Sequence, residues 1–193
     1  GSLLRIVEER DADDFVKAIY EVNSGVYAFD AKALSGAIGK LSTDNSQGEL
    51  YLTDVIEILR NEGGTIAAAL IEDFVEILGV NDRVQLAESA ALLRDRINEG
   101  FMRAGVTIVD PTTTWVDATA EIASDVTIFP GTAILGSSKI ATGAIIGPRT
   151  TLESCTVLAG AKIVESNCFE ATIGKDAQVG PYSYLRKDTV LGT

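Results

Sequence analysis

Residues 116–164 read VDATAE IASDVT IFPGTA ILGSSK IATGAI IGPRTT LESCTV LAGAKI V, and broken into sixes every block opens on an aliphatic residue. The nine openers are Val116, Ile122, Ile128, Ile134, Ile140, Ile146, Leu152, Leu158 and Val164. Chance agreement over nine positions, with a free choice of phase, is on the order of one in 10⁴ to 10⁵ by template counting. Four residues after the first seven openers come Ala120, Val126, Thr132, Ser138, Ala144, Thr150 and Thr156, nearly all small. The register then slips by three residues across Ser166-Asn167-Cys168. It resumes with Ile173, Val179, Leu185 and Leu191, followed at the fourth place by Ala177, Ser183 and Thr189.

A period of six belongs neither to a helix nor to an isolated strand. It fits a hexapeptide solenoid, in which each block makes one short strand and a corner and three blocks make a triangular coil. The aliphatic residue points into the prism and stacks on its equivalent one coil away; the small residue fills the tight corner. Such an array needs several coils, because each is stabilised by its neighbours. Residues 116–193 supply about four, at roughly 18 residues per coil. Hexapeptide solenoids are as a class left-handed, against the usual right-handed crossover, so the expected fold here is a left-handed parallel β-helix.

Upstream, Leu86, Ala90, Leu93, Ile97 and Phe101 fall at helical spacing over residues 84–104. Asp82 with Gln85 resembles a capping box, and Gly105 stands where a helix would end. This reads as a linker helix between two domains, 1–83 and 105–193. In the first, residues 3–8, 22–29 and 65–71 read as strands. A helix is predicted from Asp30, with Leu34, Ala37, Ile38 and Leu41 on one face. A second is predicted from Thr53, with Val55, Ile56 and Leu59 inward and a stop at Gly63-Gly64. Strands alternating with helices predict an α/β layer.

The formal net charge of −12 disfavours nucleic acid and anionic membrane surfaces as partners. The longest apolar run, Ile66 to Ile71, is too short to span a bilayer. Cys155 and Cys168 have no metal spacing around them and read as free thiols of a reducing, cytoplasmic compartment. There is no histidine, so chemistry must rest on carboxylates, amides, hydroxyls, Arg or Lys, with a hard cation such as Mg²⁺. The opening Gly1-Ser2 with no initiator Met, followed at once by a strand-like run, reads as a fragment of a longer protein.

Four motifs occur in order: Glu21-Val-Asn-Ser-Gly-Val-Tyr-Ala-Phe, Gln47-Gly-Glu-Leu-Tyr-Leu-Thr-Asp-Val, Gly79-Val-Asn-Asp-Arg-Val-Gln-Leu and Gly105-Val-Thr-Ile-Val-Asp-Pro. With the repeat that follows, they resemble the bifunctional bacterial enzyme that makes UDP-N-acetylglucosamine, and most of all its actinobacterial members. That family joins an N-acetylglucosamine-1-phosphate uridyltransferase to a glucosamine-1-phosphate N-acetyltransferase, serving cell-wall precursor synthesis. The resemblance implies that residues 1–83 are the C-terminal part of a Rossmann-like uridyltransferase domain. It implies that residues 105–193 are the first coils of a trimeric β-helix acetyltransferase, with Mg²⁺, UTP and acetyl-CoA in the parent's reactions.

It further implies that Glu8 accepts from vicinal sugar hydroxyls, a task suited to a carboxylate. Asn23 would offer the sugar a donor and an acceptor together, and Tyr51 and Thr53 would line the same pocket. Asn81 would bind substrate and give Mg²⁺ a hard oxygen ligand. Arg186 would contact substrate phosphate in the acetyltransferase site, bidentate recognition favouring Arg; Lys187-Asp188 stands where the family has Pro-Gly. Thr53 also reads as a helix N-cap, Tyr51 as a core residue and Arg186 as a solvated corner. The family's Gly-rich nucleotide loop and its general-base histidine are not in this sequence, so the chain by itself is expected to catalyse neither reaction. The alternatives are a nucleotidyltransferase for another hexose 1-phosphate and a non-catalytic trimerising β-helix module.

Overall fold

The computed structural model describes residues 3–193, which form two compact units, 3–79 and 80–193. In the first unit, helices span Asp14–Lys17, Ala31–Ile38 and Asp54–Asn61. Asp30 caps the second of these as expected, its carboxylate accepting from the Ala33 amide at 2.9 Å. Ala37, Val55 and Ile56 are buried where the two longer helices pack on each other. The helix ending at Asn61 stops in a Schellman turn: the Gly63 amide donates to the Arg60 carbonyl and the Gly64 amide to Leu59, both at 2.9 Å. Gly63 takes a φ of +84°, which its lack of a Cβ permits.

The expected strands at 3–8, 22–29 and 65–71 are a correction. Among the described residues the first unit contains no strand. A β-rich composition produces a ladder only when backbone groups find a partner, and these three segments do not pair with one another. Their large apolar side chains stand in the open instead: Leu4, Val22, Val26 and Leu70 are all exposed. Ile38, assigned to the buried face of its helix, is also exposed.

The second unit opens with a helix over Arg83–Arg103. The Asp82 carboxylate accepts from the Gln85 amide at 2.8 Å, while Gln85 Oε1 accepts from the Asn81 amide at 2.7 Å. At the far end the amides of Gly105 and Val106 donate to the carbonyls of Met102 and Phe101. The face this helix buries differs from the expected stripe. Leu86 and Leu93 are exposed, whereas Ile97 and Phe101 pack on the core beside the fully buried Asn98. Asn98 Nδ2 donates to the carbonyls of Pro111 (3.0 Å) and Thr114 (2.9 Å). Arg94 donates to the Thr112 carbonyl at 2.9 Å and sits 5.0 Å from the centroid of the Trp115 ring. The helix is thus fastened to the first coil at one polar loop and is more than a linker.

From Thr107 onward the chain winds as a three-sided parallel β-helix of the hexapeptide class, five rungs high. Each face is a five-stranded parallel sheet of two-residue strands, three of them lengthened to three residues on one face. On one face Ile108, Ile128, Ile146, Ile163 and Val179 stack in register. On the next, Val116, Ile134, Leu152, Cys168 and Leu185 do so. The third column is Ile122, Ile140, Val157, Ile173 and Leu191. The small residues occupy the corners: Thr114, Val126, Thr132, Ser138, Ala144, Thr150, Ala161 and Ala171 are buried. Thr132 Oγ1 and Ser138 Oγ satisfy themselves on the carbonyls of Phe129 and Leu135 (2.7 and 2.8 Å), which is why a hydroxyl is tolerated there.

The strict six-residue count fails after Leu152. Leu158 and Val164 do not point into the prism; Val157 and Ile163 take their places, and Leu158 is 41% exposed. Cys155, not Thr156, fills the corner. Three of the later turns use five residues instead of six: 152 to 157, 163 to 168 and 168 to 173. Their corners are made by Ser154, Glu165 and Glu170, each in the left-handed region at φ +51°, +45° and +42°. The three-residue slip read from the sequence is therefore three single-residue contractions spread over three corners.

Candidate functional site

In the first unit the segment ending in the short turn Glu9–Asp11 lies against the loop and helix start formed by residues 45–54. Thr53 Oγ1 donates to Glu8 Oε1 at 3.0 Å. Thr53 is buried and adopts helical φ/ψ, and it makes no side-chain cap, so its hydroxyl serves the carboxylate and not the helix end. Three residues on, Asp11 Oδ1 accepts from the Ser46 amide at 2.8 Å and Oδ2 from the Tyr51 hydroxyl at 3.2 Å. These bonds, the Ser46 amide first, hold the Asp11 carboxyl below its usual range. Gln47 Nε2 donates to the Tyr51 hydroxyl at 2.7 Å, and Arg10 Nη1 donates to Gln47 Oε1 at 2.8 Å. Asp54 has its carboxyl raised, by burial first and then by the negative charges of Glu57, Glu8 and Asp11. The edge is thus anionic and rich in hydroxyl groups, suited to accepting from and donating to a polyhydroxylated ligand.

Three of the residues singled out from sequence, Glu8, Tyr51 and Thr53, are brought together here, and Tyr51 is half-buried rather than core. Asn23 is exposed and engaged locally: Nδ2 donates to the Tyr27 hydroxyl at 2.7 Å, and Oδ1 accepts from the Gly25 amide at 3.1 Å. Tyr27 in turn stacks on Phe29. Asn81 belongs to the second unit, exposed and immediately before the helix cap. One amide oxygen is not a Mg²⁺ site, and among the described residues no group of three or more His, Cys, Asp or Glu side chains stands ready to hold a metal. The described residues do not by themselves fit the ion.

Arg186 follows the last strand of the second face and is exposed. Its carbonyl accepts from the Thr189 amide at 3.1 Å, closing a turn in which Asp188 takes φ +64°. Asp tolerates this left-handed corner better than most residues. Lys187 is tied to Glu170 at 2.6 Å.

No family model matches the chain. Among curated proteins, "Bifunctional protein GlmU" of Rhodococcus jostii is 53% identical over 192 residues, that of Corynebacterium jeikeium 52%, and that of Streptomyces coelicolor 50%. In each case the match takes in the whole of this chain. Over its whole length the chain is similar to these GlmU proteins. It spans 38 to 40% of the length of these three relatives. The GlmU match agrees with the family read from the four motifs and with the mostly actinobacterial wording. Sequence reasoning missed Gln47 and its partners Asp11 and Arg10; the contacts of Asp11 and Arg10 with the 45–51 loop reach across 35 to 40 residues and leave no local pattern.

Proposed function

We propose that this chain is the part of a bifunctional enzyme that carries one wall of a uridyltransferase sugar site and the first rungs of an acetyltransferase. The parent acetylates glucosamine 1-phosphate from acetyl-CoA and then transfers uridylyl from UTP to the product, giving UDP-N-acetylglucosamine for the cell wall. The observation that carries this reading is the joining of Glu8 to Thr53, with Tyr51 alongside, in a chain half identical to GlmU proteins over its whole length.

In this reading Glu8 accepts from two sugar hydroxyls, and Thr53 holds the carboxylate in place for them. Tyr51 and Asn23 line the same sugar, and Asn81 would supply one oxygen to a Mg²⁺ that needs further donors from the parent. Transfer requires the sugar phosphate to attack the α-phosphorus while pyrophosphate leaves; positioned donors offset the growing charge, to which a bound Mg²⁺ would add, so no histidine is needed at that step. Arg186 binds substrate phosphate in the acetyltransferase. The third face of the β-helix, whose outer side carries Ala123, Ala141 and Leu158 beside the Glu121–Lys139 pair, packs in a cytoplasmic homotrimer. The 193 residues alone turn over neither substrate.

The test is pyrophosphate release from UTP and N-acetylglucosamine 1-phosphate by the full-length protein, with Glu8→Gln alongside. The expected result is turnover in the unmodified protein and a KM for the sugar phosphate raised about tenfold or more in the variant, the loss of a charge-assisted bond. Absence of product overturns the assignment. Equal rates with glucose 1-phosphate transfer it to a nucleotidyltransferase of another sugar.

A further inference from the structure

The surroundings of the Tyr51 hydroxyl decide what kind of group it can recognise. A phenol has one proton to give and accepts through its oxygen. The chain of bonds around it has a fixed direction because both ends are committed. At one end Arg10, a guanidinium with no acceptor, donates to Gln47 Oε1 at 2.8 Å. That leaves the Gln47 amide nitrogen to face Tyr51, where it donates to the hydroxyl at 2.7 Å. At the other end Asp11, accepting from the Ser46 amide, can only accept, so the Tyr51 proton goes to Oδ2 at 3.2 Å. The hydroxyl has then given its only proton, and what it still offers to a ligand is oxygen lone-pair density.

We propose that Asp11, acting through this relay, is a positioning residue that fixes Tyr51 as an acceptor, so that Tyr51 selects a hydroxyl or amide N–H of the sugar and turns away its phosphate. This rests on the reading of Tyr51 as part of the sugar site. Asp11→Asn keeps the size and the carbonyl facing the Ser46 amide, but it places an NH₂ opposite Tyr51 and reverses the bond.

The experiment is a double-mutant cycle in the full-length protein, with Asp11→Asn, Tyr51→Phe and both together, following KM for N-acetylglucosamine 1-phosphate, KM for UTP, kcat and the melting temperature. Each single variant is expected to raise the sugar-phosphate KM about tenfold, leaving kcat and the UTP KM within about twofold. The double variant should be no worse than either single one. Multiplying effects, or a fall in kcat with the sugar KM unchanged, overturn the proposal. If Asp11→Asn lowers the melting temperature too far to assay, Gln47→Met removes only the donor and leaves the Tyr51 proton on Asp11, so the sugar-phosphate KM is expected to stay within about twofold; a tenfold rise there overturns the assignment of Asp11 as the group that fixes Tyr51. An unmodified protein that releases no pyrophosphate with any sugar phosphate would instead sink the sugar-site reading, and this inference with it.

Discussion

Leu152→Ala and Leu158→Ala delete the same three carbons from two leucines six residues apart, and the structure requires very different costs. Leu152 is fully buried, held between Ile134 on the rung before and Cys168 on the rung after. Transfer of three carbons at ~0.8 kcal/mol each gives ~2.4 kcal/mol. Strands hydrogen-bonded on both sides cannot collapse into the gap, so a cavity term brings the total to ~3–4 kcal/mol. Leu158 lies on the outer side of the third face with 41% of its surface in water. Its truncation opens onto solvent and leaves no cavity, and the cost should stay at ~1 kcal/mol or below. Urea unfolding followed by the fluorescence of Trp115, the single tryptophan, reports on the second unit directly. Repeating it at two protein concentrations separates packing inside the prism from cover supplied by a partner subunit, because only the latter changes with dilution. A loss for Leu158→Ala equal to that for Leu152→Ala, and independent of dilution, would refute the inward and outward assignments.

Two further outcomes follow from the same unit. Asn98→Ala leaves the carbonyls of Pro111 and Thr114 without their donor in a buried place and should cost about 2–3 kcal/mol in a denaturation experiment, with Asn98→Asp no better because a carboxylate cannot donate. The buried Cys168 thiol is pushed up to about 12, by burial first and then by Cys155. The unfolded chain therefore loses this proton near pH 8.5 while the folded one keeps it, so stability falls as pH rises from about 9 towards 12, by ~1.4 kcal/mol per pH unit at most. Cys168→Val should remove that part of the slope; an unchanged slope would show that the thiol is not the group responsible.

What the sequence revealed, and what it hid, have physical reasons. The openers from Val116 to Leu152 were legible because each corner there takes the same number of residues, so the period survives undisturbed. Beyond Leu152 a corner closes with one residue fewer, and the shift is invisible by composition: Val157 stands beside Leu158, Ile163 beside Val164, and either member of each pair could fill the prism. Only the pairing register, Leu152 with Cys168 and Ile140 with Val157, shows where the contractions occur. The rung that begins at Thr107 was missed because the turn from Ile108 to Val116 takes eight residues, out of phase with the rest. In the first unit the strand-like composition at 22–29 was real, yet composition does not supply a partner. The cap at Asp30 and the stop at Gly63-Gly64 were readable because both act within one turn. Glu8 and Thr53 are 45 residues apart, and in the sequence only likeness to a family joins them; Asp11 and Tyr51, 40 apart, are joined only by the fold.

Methyl contacts in solution test the winding most directly. With Ile, Leu and Val methyls labelled, nuclear Overhauser effects should link Ile122 to Ile140, Ile140 to Val157, and Val157 to Ile173. Cross-peaks from Ile140 to Leu158, with none to Val157, would contradict the five-residue turn on which the column depends.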